Sequence, residues 1–254
     1  MPGKHVVFDI VGTLVCFDAF YARIDSVIGN KLKKNGISPQ LFGYTWMTHS
    51  ELEFTFLSMS GRHTSYSNLM KALFYRTLWM AGVQEPRSFA TNDERDRCQE
   101  GYALLELRPG AKECIQILRD ANFKVWCLTT ADIPRVQGYF ARGGVHMPRE
   151  QFVSCDSQGV AKPALAAYRP IFEKFGDQDH RWFAAAHMWD VSAARLVGFK
   201  ERIVARMRRK IAWSFLEGRW KSWLARLMRW QEPSSKLQNE TPLYAQIDFR
   251  ASRL

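Results

Sequence analysis

Apolar residues along this chain follow two kinds of pattern. Short runs rich in β-branched or aromatic residues, His5 to Val11, Lys124 to Thr129, Gln151 to Ser154 and Trp182 to His187, have the length and the following turn chemistry of buried strands. Stretches of helical period alternate with the last three: Ala111 to Ala121, with Cys114, Ile115, Ile117 and Leu118 apolar, before the second strand, and Ile133 to Arg142 after it. Pro163 to Phe175 continues the pattern after the third strand. Strands alternating with helices predict a doubly wound parallel sheet, an α/β fold with helices on its faces. The first strand stands apart, because no further strand of that sheet is expected before residue 124.

Residues 15 to 108 fill that gap with helical patterning at Phe20 to Leu32, Tyr44 to Leu57, Tyr66 to Met80 and Asn92 to Leu105. A stretch of 94 residues is too long for a loop in a compact domain, so it reads as an inserted helical cap. Its expected place is over the carboxyl end of the first strand, where open α/β sheets bind ligands. The organisation that follows is a discontinuous core of residues 1–14 and 109–200, a cap of 15–108 and a C-terminal tail of 201–254. Aromatic residues of the cap, Phe54, Phe56, Phe74, Tyr75 and Trp79 among them, are expected mostly in its own core, with a minority lining an apolar substrate pocket.

Composition narrows the class. The 254 residues are 46% hydrophobic and 24% charged, which excludes disorder as a whole, and no apolar run approaches the length of a membrane-spanning helix. The N-terminus shows no secretory pattern, so a cytoplasmic location is expected. Five cysteines, at 16, 98, 114, 127 and 155, are widely spaced without a CxxC pair and read as buried thiols.

The net charge of +11 is concentrated in the tail: residues 201–230 carry nine Lys/Arg against Glu201 and Glu217, a net +7, leaving +4 for the rest. Trp213, Trp220, Trp223 and Trp230 lie among those cations, while residues from Gln231 onward are polar and weakly patterned. Ile203, Val204, Met207 and Ile211 fit one helical face, and Ile203-Val204-Ala205 is a faint strand signal. A solvated tail is the leading reading. Contact with an anionic membrane surface is a second, and nucleic acid ranks last because no binding motif accompanies the charge.

Candidate chemistry begins at Phe8-Asp9-Ile10-Val11-Gly12-Thr13-Leu14, where a carboxylate ends a strand and a glycine permits a tight turn. Such a carboxylate can attack an electrophile and form an ester; by itself it can equally be a helix cap. Leu128-Thr129-Thr130-Ala131-Asp132 closes the second strand, Ala161-Lys162-Pro163 follows the third, and His187-Met188-Trp189-Asp190 closes the fourth. A hydroxyl, a cation and a second carboxylate would then converge on Asp9. In these four elements and their order the sequence resembles the haloacid dehalogenase-like (HAD) hydrolase superfamily over residues 5 to about 200.

The resemblance implies Asp9 as nucleophile, Thr13 supporting it, Thr129 holding a substrate oxygen, and Lys162 neutralising the clustered charge. Asp190 would position either that lysine or a magnesium ion. Thr130, Tyr168, His187 and Trp189 would contact substrate. Related phosphatases carry a second Asp two residues after the nucleophile, where this chain has Val11, and valine cannot donate a proton to a leaving oxygen. That points to the metal-independent 2-haloacid dehalogenase branch, as do the spacing of Lys162 and Tyr168, the Trp189-Asp190 pair and the Tyr44-Thr45-Trp46 segment.

Three positions depart from that branch. Ser38 stands where its halide-receiving arginine is expected, and Ala185 and His187 replace its Ser and Asn. His187 reads either as a general base or as a structural histidine at a strand end. The favoured reading is a dehalogenase-like hydrolase without a cofactor, acting on a small organic substrate; cap aromatics lining a pocket would suit one larger than a two- or three-carbon haloacid. The alternatives are a Mg2+-dependent phosphatase, with Asp9 and Asp190 at the ion, and a non-catalytic binding protein on the same scaffold. A homodimer is one expected assembly.

Overall fold

The computed structural model describes residues 2–155 and 159–203. A five-stranded parallel sheet is built from β1 (Lys4–Phe8), β4 (Lys124–Thr129), β5 (Phe152–Ser154), β6 (His180–Ala185) and β7 (Lys200–Ile203), in the order β5-β4-β1-β6-β7. The strand that ends at Asp9 is therefore central, flanked by β4 in register Val7↔Trp126 and by β6 in register Phe8↔Ala184. A separate two-stranded antiparallel ribbon joins β2 (Val15–Cys16) to β3 (Glu106–Leu107).

Alternation along the strands sends successive side chains to opposite faces. Val7, Leu128, Val153 and Phe183 form one buried cluster with Ala167, Tyr168, Ile171 and Phe175 of the 165–175 segment and with Val191 and Ala194 of α9 (Met188–Val197). Towards the other face α7 (Ile133–Arg142) packs Phe140 edge-on against Phe152 at 5.3 Å, and α6 (Ala111–Asp120) contributes the buried Cys114, Ile115 and Leu118. This is the flanked parallel sheet expected from the pattern.

Between β2 and β3 the chain forms α1 (Asp18–Lys34), α2 (Pro39–Met59), α3 (Tyr66–Met80), the short α4 (Pro86–Phe89) and α5 (Asn92–Glu100). Local signals fix their ends. Ser38 caps α2 with Pro39 at its first position, and Thr91 forms a capping box with Glu94 at the start of α5. An aromatic centre holds the helices together: Trp46 is buried, donates from Nε1 to the carbonyl of Met70 at 2.8 Å, and meets Phe74 edge-on at 4.9 Å.

Several boundaries differ from expectation for identifiable reasons. The first strand stops at Phe8 rather than Val11, since the chain turns at Ile10 through Leu14. The helix expected over Pro163 to Phe175 is broken into a 3-10 turn (Leu165–Ala167) and α8 (Arg169–Phe172), with prolines at 163 and 170 interrupting it. The Asn92 to Leu105 helix ends at Glu100, after which Gly101 to Leu104 form turns.

At the other end of the sheet, β7 begins at Lys200, before the apolar Ile203-Val204-Ala205 signal, and Ile203 ends a strand rather than lying on a helical face. Its charged start, Lys200-Glu201-Arg202, suits an edge strand. Of the cap aromatics, Phe54 and Phe74 are buried, but Phe56 and Trp79 are 56% and 61% exposed, on outward faces of α2 and α3. Four of the five cysteines are buried free thiols; Cys16 is half-buried. Readings of the tail from residue 204 onward, and of its tryptophans, lie outside the described residues. Among the described residues no helix is long and apolar enough to cross a membrane.

Candidate active site

Asp9 lies one residue beyond β1, its N–H bonded to the carbonyl of Ala184 at 3.0 Å. The following turn is closed by the carbonyl of Ile10, which accepts from the N–H groups of Thr13 and Val15 at 3.1 and 3.0 Å. Gly12 has φ of +87°, a left-handed conformation that explains the glycine there. The turn brings Thr13 back over Asp9, and Thr13 Oγ1 donates to Asp9 Oδ2 at 2.6 Å. The same hydroxyl oxygen accepts from the N–H of Ala186 at 2.9 Å, so the end of β6 holds Thr13 in that orientation.

Lys162, from the segment after β5, reaches the other oxygen. Its ammonium donates to Asp9 Oδ1 at 3.1 Å and to Asp190 Oδ2 at 3.0 Å. Tyr168 Oη completes the arrangement by donating to Asp190 Oδ1 at 2.6 Å. All four carboxylate oxygens of Asp9 and Asp190 thereby accept a hydrogen bond, two of them from the one Lys162 ammonium, and Asp9, Lys162 and Asp190 are all buried.

Burial and charge oppose each other here. Burial disfavours the Lys162 ammonium, but Asp190 and Asp9 outweigh it and hold its pKa above the usual lysine range. Burial raises the Asp190 carboxyl to about 6 against the pull of Lys162, with Asp9 adding to the rise. Burial, and then the neighbouring Asp190 carboxylate, push the Tyr168 hydroxyl far up, so it serves as a donor at any physiological pH. Lys162 is charged, and the Asp190 carboxyl takes up a proton well above the usual carboxylate range.

Thr129 ends β4, the strand beside β1, and its hydroxyl oxygen accepts from the N–H of Ala131 at 3.0 Å. Thr130 is half-buried next to it. His187 and Trp189 stack on each other, ring centroids 5.3 Å apart and 19° between planes, at the start of α9. His187 precedes the helix without a side-chain capping bond. The structure thus joins Asp9, Thr13, Lys162, Tyr168 and Asp190 by hydrogen bonds and places Thr129, Thr130, His187 and Trp189 at the ends of the two strands flanking β1.

Residues outside the expected set also bear on the site. Ser58, near the end of α2, accepts from the N–H of Ala161 at 3.0 Å, beside Lys162. Ser38 accepts from the N–H of Leu41 at 3.4 Å, the ordinary work of a helix cap. Asp132, next to Thr129-Thr130-Ala131, caps α7 through the N–H of Arg135 at 3.0 Å.

A divalent ion shared by Asp9 and Asp190 would have to stand beside or displace the Lys162 ammonium, a like charge that already bonds one oxygen of each acid, while Thr13 and Tyr168 bond the other two. Among the described residues no group of three or more His, Cys, Asp or Glu could hold a metal. In this arrangement the residues do not fit a magnesium ion at Asp9 and Asp190.

A family model of haloacid dehalogenase-like hydrolases matches residues 4–198, and the chain belongs to this hydrolase family. Solved structures agree on the fold. The L-2-haloacid dehalogenase RSc1362 is 18% identical with a TM-score of 0.67, covering 82% of this chain and 88% of its own. The L-2-haloacid dehalogenase of Xanthobacter autotrophicus with chloropropionic acid covalently bound is 22% identical, TM-score 0.62, covering 85% and 83%. The HAD-hydrolase YfnB from Bacillus subtilis, bound to magnesium, is 15% identical, TM-score 0.55, covering 79% and 88%. No curated sequence matches.

Proposed function

We propose that this hydrolase works through a covalent ester on Asp9 and is of the metal-independent 2-haloacid dehalogenase type, with an altered place for the leaving group. The observation that carries the reading is the pairing of Asp9 with one ammonium and one hydroxyl, at 3.1 and 2.6 Å. That pairing orients the carboxylate through both of its oxygens. An Asp9 oxygen attacks the substrate carbon, and the halide departs with the bonding pair. Water then adds to the Asp9 carbonyl carbon; the hydroxy acid leaves, a proton is released and the carboxylate is restored. Thr129 Oγ1–H binds a substrate carboxylate oxygen. Val11 leaves no acid where a phosphatase would protonate its leaving oxygen, whereas a halide needs none.

The helices between β2 and β3 act as a cap over this site in the proposed reaction. Ser58, against the segment that carries Lys162, supports that role. Ser38 is a helix cap and cannot replace a guanidinium at the halide, so the substrate is one whose larger organic part supplies binding.

The test incubates the full chain with 2-haloacids of increasing size and with 4-nitrophenyl phosphate, each with and without magnesium. Halide release without metal, and one 18O in the peptide containing residue 9 after a single turnover in labelled water, are expected. Asp9→Asn should abolish both. Phosphate release that requires magnesium, or label confined to the product, would overturn the reading.

A further inference from the structure

Three consecutive carbonyls of the turn after Asp9 are bonded by one residue from the far end of the helical insertion. Arg108 Nη2 donates to the carbonyl of Gly12 at 3.3 Å, its Nε to Thr13 at 3.1 Å, and its backbone N–H to Leu14 at 2.7 Å. The turn satisfies its own amides through Ile10 and Val15, and Arg108 supplies the donors for the carbonyls on its other side. Arg108 follows β3 directly and is half-buried.

Arg108 is itself held. β3 pairs with β2 in the register Val15↔Leu107, which fixes its backbone against the residues just after the turn. The preceding connector is bound along one side of α7: Arg135 lies over the Tyr102 ring at 5.3 Å, Tyr139 Oη donates to the Tyr102 carbonyl at 2.7 Å, and Arg142 Nη2 donates to the carbonyls of Ala103 and Leu105 at 2.9 and 2.8 Å. Residues 135, 139 and 142 recur at helical spacing, so a single face of α7 grips the connector.

We infer that Arg108 is a positioning residue for the nucleophile: by fixing the Gly12–Leu14 backbone it fixes the Thr13 hydroxyl that orients Asp9. The inference rests on the proposed reaction at Asp9. Thr13 donates to Asp9 Oδ2, and the Thr13 backbone is what the guanidinium holds. A displacement of about 1 Å at a reacting group can cost on the order of 100-fold in rate. Both guanidinium bonds run to backbone carbonyls of the turn, so the rate of ester formation should fall more than substrate affinity.

Arg108→Ala and Arg108→Lys in the full chain test this on two independent readouts. With 2-chlorohexanoate, a haloacid longer than three carbons, mass spectrometry of quenched samples follows ester formation on the peptide containing residue 9. Arg108→Ala should slow it by about 10- to 100-fold with KM changed less than about 3-fold. Arg108→Lys should recover part of the rate, since an ammonium can hold one carbonyl but lacks the fork that spans two. Amide hydrogen exchange, which needs no substrate, should rise at Thr13 and Val15 in Arg108→Ala and stay unchanged in β4 and β6. Unchanged exchange at Thr13 and Val15 overturns the inference, as does a wild-type rate of ester formation in Arg108→Ala. A wild type that forms no ester overturns the proposed reaction instead, and the exchange measurement still decides the role of Arg108.

Discussion

Removing the ammonium of Lys162 exposes how the site is balanced. Lys162→Met keeps the apolar stem and deletes the charge from a position only 4% exposed. Asp9 Oδ1 and Asp190 Oδ2, at 3.1 and 3.0 Å from the nitrogen, are then left facing each other. Two charges no more than about 6 Å apart repel by at least about 3 kcal/mol at an effective dielectric constant near 20. Breaking a buried ion pair by deleting one partner typically costs about 3–5 kcal/mol.

The cost depends on pH. Asp190 already stands at about 6 with Lys162 beside it, and without the lysine the carboxyl pair holds a proton at still higher pH. A carboxyl whose folded pKa is raised stabilises the fold while protonated and loses that contribution as pH rises through the folded value. The stability deficit of Lys162→Met relative to wild type should therefore reach about 3–5 kcal/mol at pH 8. It should shrink towards pH 6, by up to about 1.4 kcal/mol per pH unit while the variant alone takes up a proton. Urea unfolding of both proteins at the two pH values measures it. A deficit below about 1 kcal/mol, or one equal at pH 6 and pH 8, would show that the two carboxylates do not depend on this ammonium.

Tyr168→Phe removes the 2.6 Å bond to Asp190, one of the influences holding that carboxyl down. The Asp190 value should rise above about 6, and a pH–rate profile should show the acid limb of turnover moved upward, with a loss of about 1.5–3 kcal/mol in stability at pH 8. At the opposite end of the sheet, His5 Nδ1 accepts from Trp126 Nε1 at 3.1 Å, and burial lowers its pKa from 6.5 despite Asp179. A histidine with a lowered folded pKa contributes stability above the unfolded value and loses it as pH falls; wild type should weaken between pH 7 and pH 5 relative to His5→Gln, with Trp126 fluorescence changing in step.

Much of this was legible because the sheet does the assembling. β4 and β6 lie on either side of β1, so chemistry placed just beyond three strand ends converges even though residues 9, 129 and 190 are far apart in sequence. Alternating strands and helices disclosed the core, and Tyr66–Met80 and Ile133–Arg142 have the limits their periodicity predicts. Lys200–Ile203 was hidden by its charges, since an edge strand needs little apolar surface. Arg108 left no trace either. Its partners are backbone carbonyls, which every residue type offers, so no side-chain pattern marks the turn as its target. The exposure of Phe56 and Trp79 depends on which helix faces meet, and helical period alone cannot assign that.

A charged cluster this deeply buried is not an economical way to stabilise a fold. Buried ion pairs replaced by apolar residues of similar volume often leave stability unchanged or improved, and the surroundings here, Val7, Leu128, Phe183 and Ala185, are already a continuous apolar core. A scaffold serving only to present a surface would gain from filling positions 9, 162 and 190 with such residues. Instead every carboxylate oxygen accepts a hydrogen bond, the ammonium is shared between both acids, and Asp190 sits at about 6. Positional control of one carboxylate, at a cost in burial, is what a covalent nucleophile requires and what a docking surface does not. That distinction favours chemistry at Asp9 over a purely binding role, even with Ser38, Ala185 and His187 departing from the dehalogenase pattern.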